Sequence, residues 1–500
     1  MAGMSAWIGE TFTSDVGWQH LETLVDLETR MAGTDGERRA AEATRDALAG
    51  VGARDAHLEP FEIQGWTRGS SAVEAGGTSQ DCIALPRSPS GEATGELVDL
   101  GYGLPSDYGG DLEGAVVLAA SDVPDWHDRY VHRREKYYRA VEAGASAFVY
   151  ANHVPGCLPP TGSVGTEADP VGSVPAVGVS REVGARLVRR FAGEDVTVTV
   201  DAEIDEATSR NVHADLGPDT DETVLLTSHV DAHDIAEGAA DNGAGTAMVL
   251  EVARALVRRE AELDTRVHCV VYGAEEVGLV GSHRDAERRD LDAVTAVVNN
   301  DGVVRDRTLQ LVAHGFEDLV DAAERVADRL DHPLDVSPTL NPHSDHWPYV
   351  TRGVPGYHVR SDTGDAGRGW GHTRADTLDK LSVRDLREQA IVLTELVVDL
   401  AREDTTVSHR PPSAIADQLE TENRAEGMRI IGDWPYGDAW CTADSRGTTS
   451  VTGVDPTPSV AEIPRARRVL RLPPALGPTA PASPRCAPSR RPHRRPLPPL

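Results

Sequence analysis

The chain has 500 residues, with 81 acidic against 49 basic side chains and a net charge of −32; Lys136 and Lys380 are its only lysines, so the positive charge is almost all arginine. So acidic a surface repels phosphate, which argues against nucleic-acid and anionic-membrane partners and suits a protein that stays hydrated in high salt. Cys82, Cys157, Cys269, Cys441 and Cys486 form no CxxC pair, which speaks against a disulfide framework or a cysteine-type zinc site, and with no secretory leader and no run of about 18 apolar residues a cytoplasmic protein is expected.

In chain order, residues 12–52 read as two helices. They are Trp18–Met31 and Glu37–Leu48, the second stopped by Gly50 and Gly52. Ala72 and Val73 lie among Gly and Ser and give a weak strand signal. Glu96–Leu100, Ala115–Leu118, Ala147–Tyr150 and Val174–Val179 read as strands, and Lys136–Gly144 and Arg181–Phe191 as helices. None of these ends in a cluster of His and acids. Residues 60–205 therefore read as an inserted lid or recognition module.

From Val224 the chain alternates strand and helix, which predicts an α/β fold with a mostly parallel mixed sheet flanked by helices. The apolar run Val224-Leu225-Leu226 delivers His229 and Asp231, and Asp241 follows in a Gly-rich loop before helix Thr246–Arg259. Val267–Tyr272 delivers Glu275 and Glu276, and Ala293–Val298 delivers Asp301. Leu309–Val312, helix Glu317–Leu330 and strand Val354–Val359 follow; His372 lies in the loop beyond, and helix Val383–Ala401 closes the unit. From Ala461 to Leu500 there are nine Arg against one acid, Glu462, and 11 of the 32 prolines, which leaves −40 on the other 460 residues. A Pro/Arg mixture of that kind buries too little apolar surface to fold, so the tail reads as disordered or as foreign to the protein, not as a nucleic-acid-binding arm.

Polar side chains at the carboxyl ends of parallel strands are where open α/β sheets build sites. Two divalent metals need a bridging carboxylate, terminal His or carboxylate ligands, and a free carboxylate to take a proton from the water between them. Asp241 suits the bridge, His229 and Asp301 one metal, Glu276 and His372 the other, and Glu275 the base. Asp231, two residues from His229, suits the imidazole's other N–H. Taken singly these residues also read as turn acids, a helix N-terminal Glu pair and structural histidines; the joint arrangement favours the metal site. His233, His343 and His358 read as structural or surface residues.

Several motifs carry a resemblance to the M28 family of co-catalytic zinc metallopeptidases. They are His229-Val-Asp231, Gly238-Ala-Ala-Asp241-Asn-Gly-Ala-Gly245, Gly273-Ala-Glu275-Glu276-Val-Gly-Leu-Val-Gly-Ser282, Asn300-Asp301-Gly302, Ser344-Asp345-His346 and His372-Thr-Arg-Ala-Asp376-Thr-Leu378. Arg30-Met-Ala-Gly-Thr34-Asp-Gly36 resembles the family's N-terminal segment, and residues 60–200 resemble its inserted protease-associated domain. The resemblance implies a zinc exopeptidase fold with a β-rich α/β insert, two zinc ions (other divalent metals being possible), the five ligands and base named above, and a peptide substrate. It divides the chain into 1–59, the N-terminal helical part of the peptidase domain; 60–205, the insert; 206–405, the di-zinc peptidase domain; and 406–500, a C-terminal extension expected to be disordered from about 440. An aminopeptidase is expected. The alternatives are a carboxypeptidase of the glutamate-carboxypeptidase kind, with Arg129, Arg133, Arg134 and Arg139 available to hold a carboxylate, and a non-catalytic binding protein. Gly371 stands where many relatives have a tyrosine next to the second His ligand, so the oxyanion donor falls to Tyr349, Tyr357 or the metals alone.

Overall fold

A computed structural model describes residues 6–166, 169–364, 367 and 369–437. The tail over 461–500 lies outside the described residues. The strands are β1 (Arg54–Ala75), β2 (Thr78–Gln80), β3 (Cys82–Ala84), β4 (Gly91–Asp99), β5 (Val116–Ala120), β6 (Ala147–Ala151) and β7 (Ala176–Val179). They continue as β8 (Asp195–Leu216), β9 (Thr223–His229), β10 (Arg266–Tyr272), β11 (Val294–Asn300), β12 (Leu309–Val312), β13 (Asp335–Ser337) and β14 (Gly356–Ser361).

The C-terminal part of the sheet runs β13-β12-β14-β11-β9-β10-β8. Strands β10, β9, β11 and β14 are parallel, while β12 runs antiparallel to β14 but parallel to β13, and β8 runs antiparallel to β10. The β9 sequence TVLLTSH is buried at every position, as expected of a central strand covered on both faces. Each fully buried Val or Leu there contributes roughly 1.5–3 kcal/mol relative to exposure. Helices Ala244–Arg258 and Val383–Leu400 pack Met248, Val252, Leu256, Leu393 and Val397 into the same core. Helix Asp35–Val51 also joins it through Ala40, Ala41 and Leu48; Thr34 caps its start, with Oγ1 accepting from Glu37 N, and left-handed Gly52 ends it.

The insert has its own parallel strands, β4-β5-β6-β7, with β3 antiparallel at the edge. Alternation along these strands serves two cores. Val117, Ala119, Phe148 and Tyr150 face Tyr137 and Ala140 of helix Arg133–Glu142. Val116, Leu118, Ala147 and Val149 pack with Leu187 of helix Arg181–Phe191. The weak strand signal at Ala72–Val73 belongs to β1, which pairs with β8 along almost its whole length. One end of β8 pairs with β4 of the insert and the other with β10 of the C-terminal part of the sheet. The expected boundaries at 59/60 and 205/206 therefore fall within continuous strands. Beyond residue 406, helices Pro412–Thr421 and Ala425–Ile430 place Ile415, Leu419 and Met428 in the main core. Glu426 and Asp433 pair there with Arg139 and Arg134 of the insert. Among the described residues no helix is long and apolar enough to cross a membrane.

Candidate metal centre

Register brings the polar residues together. In the parallel ladders His229 lies opposite Tyr272, and Thr227 opposite Asn299. The chain after β9, β10 and β11 therefore emerges along one edge of the sheet, carrying His229, Glu275-Glu276 and Asp301. Two three-donor groups form there. His229, Asp241 and Asp301 make one, and His233, Glu276 and His372 the other, with the potential ligand atoms of each lying within 4.8 Å of one another. Asp241 faces both: Oδ1 lies 3.4 Å from His229 Nε2 and Oδ2 lies 3.0 Å from His372 Nε2. His229 Nε2 is 3.8 Å from Asp301 Oδ1, and His372 Nε2 is 3.5 Å from Glu276 Oε2.

The electrostatics of this cluster call for a cation. Burial alone would lower the His229 imidazole, but Glu275, Asp231, Asp241 and Asp301 around it hold it well above its ordinary value. Burial would raise Asp241 and Asp301; contact with His229, and for Asp241 also with His372, holds both carboxyls below the usual range. Glu275 and Glu276 go the other way. Burial, reinforced by neighbouring acids, pushes Glu276 up to about 7 and Glu275 well above its ordinary value. Among the buried polar atoms with no hydrogen-bond partner are His229 Nε2, Glu276 Oε1 and His233 Nδ1. Imidazole and carboxylate donors, converging and unsatisfied, fit borderline divalent cations such as zinc.

The backbone around these groups is held by charged side chains. The buried Asp231 carboxylate accepts from Glu275 N at 3.0 Å and Glu276 N at 3.1 Å. His229 Nδ1 instead lies nearest the Asp231 backbone carbonyl, at 3.1 Å, with the carboxylate at 3.5 Å. The Asp231 side chain therefore does more than was expected of it: it fixes the glutamate pair as well as standing beside the imidazole nitrogen that the main-chain carbonyl also faces. Asp376 does for the Asp241 loop what Asp231 does for the glutamates, accepting from Ala240 N and Asp241 N. Asn242 ties that loop to Asn300 O, and a Cβ on Gly245 would lie 2.2 Å from Asn242 Oδ1, so only glycine fits there.

Two supports come from the N-terminal segment. The Arg30 guanidinium donates to the carbonyls of Val230, Glu237 and Gly238. Glu37 accepts from Gly33 N and Ala274 N. The sequence marks the segment but not these partners, because a side chain's reach across two hundred residues has no local signature. From the sequence, His233 reads as a structural or surface residue. The structure buries it with Nε2 2.8 Å from Glu276 Oε2 and its ring edge-on to His372. Its spacing four residues after His229 is the one local hint. His358 also reaches the site, with Nε2 3.1 Å from the Asp301 carbonyl.

The expected oxyanion donors need correction. Tyr349 is fully buried and its hydroxyl donates to Asp285 beside Tyr272, while Tyr357 donates to the Leu319 carbonyl. Neither lines the cavity over the site. That cavity has a volume of about 660 Å3 and is walled by Asp241, Glu275, Glu276, Asp301 and His372 on one side and by Tyr130, His132 and Tyr150 of the insert on the other. The four insert arginines are engaged within the fold. Arg129 and Arg139 pair with Glu135, Arg133 donates to the Ser163 carbonyl, and Arg134 pairs with Asp433. Asp345 is fully buried and is pushed up to about 8 by that burial.

Comparison with known proteins agrees with this architecture. Residues 211–397 match the model of peptidase family M28, and residues 93–187 that of the PA domain. An aminopeptidase of Bacillus subtilis is 24% identical over 409 residues, covering 79% of this chain and 85% of its own. Among solved structures, an aminopeptidase from Aneurinibacillus sp. strain AM-1 superposes with a TM-score of 0.62 at 26% identity, covering 81% of this chain and 98% of that one. A zinc aminopeptidase from Bacillus subtilis shares the fold, with a TM-score of 0.62 at 22% identity over 79% of this chain and 97% of that one. Strand order, site and sequence matches together make residues 211–397 similar to peptidase family M28, with a segment similar to the PA domain between the long strands β1 and β8.

Proposed function

We propose that this protein is a zinc-dependent aminopeptidase with two zinc ions. The observation that carries the reading is the Asp241 carboxylate set between two three-donor groups. His229, Asp241 and Asp301 would hold one ion, and Asp241, Glu276 and His372 the other, with His233 against Glu276. Held there, zinc would supply Lewis-acid chemistry, polarising a scissile carbonyl and acidifying a water. Glu275 belongs to neither donor group and its carboxyl is buried among acids that raise its proton affinity. It takes the proton from the attacking water and returns it to the leaving amine. Asp231 and Asp376 hold the two loops in register, so that the base and the donors share one geometry. A cavity closed on one side by the insert suits the end of a peptide, and the relatives named above support removal of N-terminal residues.

The test is hydrolysis of free-amino dipeptides against N-blocked peptides in high salt, with and without a chelator. Release that needs the free amine, stops with chelator and returns with zinc supports the reading. Release from blocked peptides alone overturns it.

A further inference from the structure

The two donor groups are supported from different parts of the chain. In the first, Thr246 Oγ1 donates to the His229 carbonyl at 2.8 Å, Asp376 accepts from Asp241 N, and Asp301 N donates to the Val359 carbonyl at 3.0 Å. These partners all belong to the C-terminal part of the chain. In the second group each donor meets a residue from the stretch 60–205. Next to His233, the Asp234 carboxylate accepts from Arg68 of β1, from Nε at 2.8 Å and from Nη2 at 2.6 Å. Next to Glu276, the Val277 carbonyl accepts from Arg87, a buried residue that follows β3. At His372 itself, the carbonyl accepts from Thr161 N at 2.8 Å. Arg68 also joins these supports to one another: its Nη1 donates to the Ala84 carbonyl of β3, and its Nη2 lies 3.4 Å from Thr161 Oγ1. A planar group with five donors in a fixed fork can hold so many partners at once.

Thr161 lies in the segment 159–166, which is neither helix nor strand yet is buried throughout. A buried irregular segment must place its main-chain polar groups on fixed partners. Here Val164 N donates to the Pro86 carbonyl at 3.0 Å, and Arg133 donates to the Ser163 carbonyl. A Cβ on Gly162 would lie 2.1 Å from Arg133 Cζ, so the segment is gripped at close range. His372 has a φ of +55°, a left-handed backbone uncommon for a residue other than glycine, which only its surroundings can hold in place. We infer that the second metal position is a composite site, completed by the stretch 60–205 through the positioning residues Arg68, Arg87 and Thr161, while the first position is built without that stretch. The inference rests on the two-zinc reading. Coupling of this kind is reciprocal, so an ion at the second position also holds the insert over the cavity.

Calorimetric zinc titration of the full chain reads each position by its affinity. The wild type takes up two ions. Arg68→Met and Arg87→Met each weaken one ion by about tenfold or more and leave the other within about twofold, as expected when contacts that orient metal ligands are lost. Arg68→Lys keeps the charge without the fork and restores part of the loss. A double-mutant cycle identifies the affected ion: Arg68→Met has no further effect on zinc binding in the His372→Ala chain and keeps its full effect in the Asp301→Ala chain. In the wild type, filling the second position slows hydrogen exchange over residues 158–166, and in the His372→Ala chain zinc does not. Circular dichroism of the metal-free variants checks their fold, and either arginine variant decides alone if the other fails to fold. Equal weakening of both ions, unchanged affinities in the arginine variants, or exchange over 158–166 that zinc leaves unaltered overturns the inference and leaves the two-zinc reading standing. A wild type that takes up fewer than two ions overturns that reading and the inference with it.

Discussion

Replacing Asp231 by Asn is the sharpest test of how the site is held. The carboxylate is fully buried and accepts two main-chain N–H groups, those of Glu275 and Glu276, at 3.0 and 3.1 Å. The amide has nearly the same volume but offers one oxygen and one NH2 group, so one buried N–H must face another donor. Loss of a charge-assisted bond is worth about 1.5–3 kcal/mol, and the change falls on the loop carrying both the base and a metal donor. A displacement of roughly 1 Å at a catalytic group can cost about a hundredfold in rate. Asp231→Asn is therefore expected to lower the stability of the zinc-loaded chain by about 2 kcal/mol and kcat by roughly a hundredfold. Its zinc content should be largely kept, because His229 Nδ1 faces the unaltered carbonyl of residue 231. Urea unfolding, steady-state kinetics and metal analysis on one preparation decide the matter. Unchanged kcat and unfolding midpoint would refute the pinning argument. A fall in zinc affinity with turnover per bound zinc intact would return the carboxylate to the imidazole.

Other predictions follow from the same contacts. His233→Ala should remove or weaken by more than about tenfold one of two bound zinc ions if its Nε2 is a ligand, and a metal titration with unchanged stoichiometry and affinity limits His233 to orienting Glu276. Glu275→Gln should keep its metal and lose on the order of 10²–10⁴ in kcat, and wild-type turnover by that variant would remove Glu275 from the reaction. Burial, aided by Arg30, lowers His20 to about 4, and its Nε2 lies 3.0 Å from Thr44 Oγ1. The folded chain thus binds this proton less readily than the unfolded chain, whose histidine titrates near 6.5. The stabilisation is complete above pH 6.5 and is lost as pH falls toward 4, amounting to about 2 kcal/mol between pH 7 and 4.5. His20→Gln should flatten that part of the stability profile, and an unchanged pH slope would show that His20 is not its source.

Much of the site is legible in the sequence because parallel strands leave a local record. A strand covered on both faces carries a continuous apolar run, as β9 does at Val224–Leu226, and the residue at its end falls on the sheet edge where sites form. His229, Asp241, Glu275, Glu276, Asp301 and His372 can all be placed at such ends or in the loops beyond them. The β1–β8 ribbon was not legible. β1 is partly exposed and carries Gly65, Gly69 and polar residues, so it lacks both the apolar run of a buried strand and a clean alternation; β8 alternates over Val196, Val198 and Val200, but the polar, largely exposed stretch 201–208 interrupts the pattern before the strand enters the larger core. The C-terminal helices were missed as part of the fold because their apolar residues are few and find their partners far away in the chain.

The sequence by itself determined the fold class, the acidic charge and the set of metal-type side chains, since periodicity and strand-end position are properties of neighbours along the chain. Only the tertiary structure decided which of those side chains meet. It brought His233 to Glu276, gave Asp231 to the glutamate backbone, buried Tyr349 and Tyr357 away from the cavity, and set Arg68, Arg87 and Thr161 against the second donor group. The physical reason is that hydrogen bonds and ion pairs act over about 3 Å in space, while strand register, set by the packing of the whole sheet, decides which distant residues come within that range.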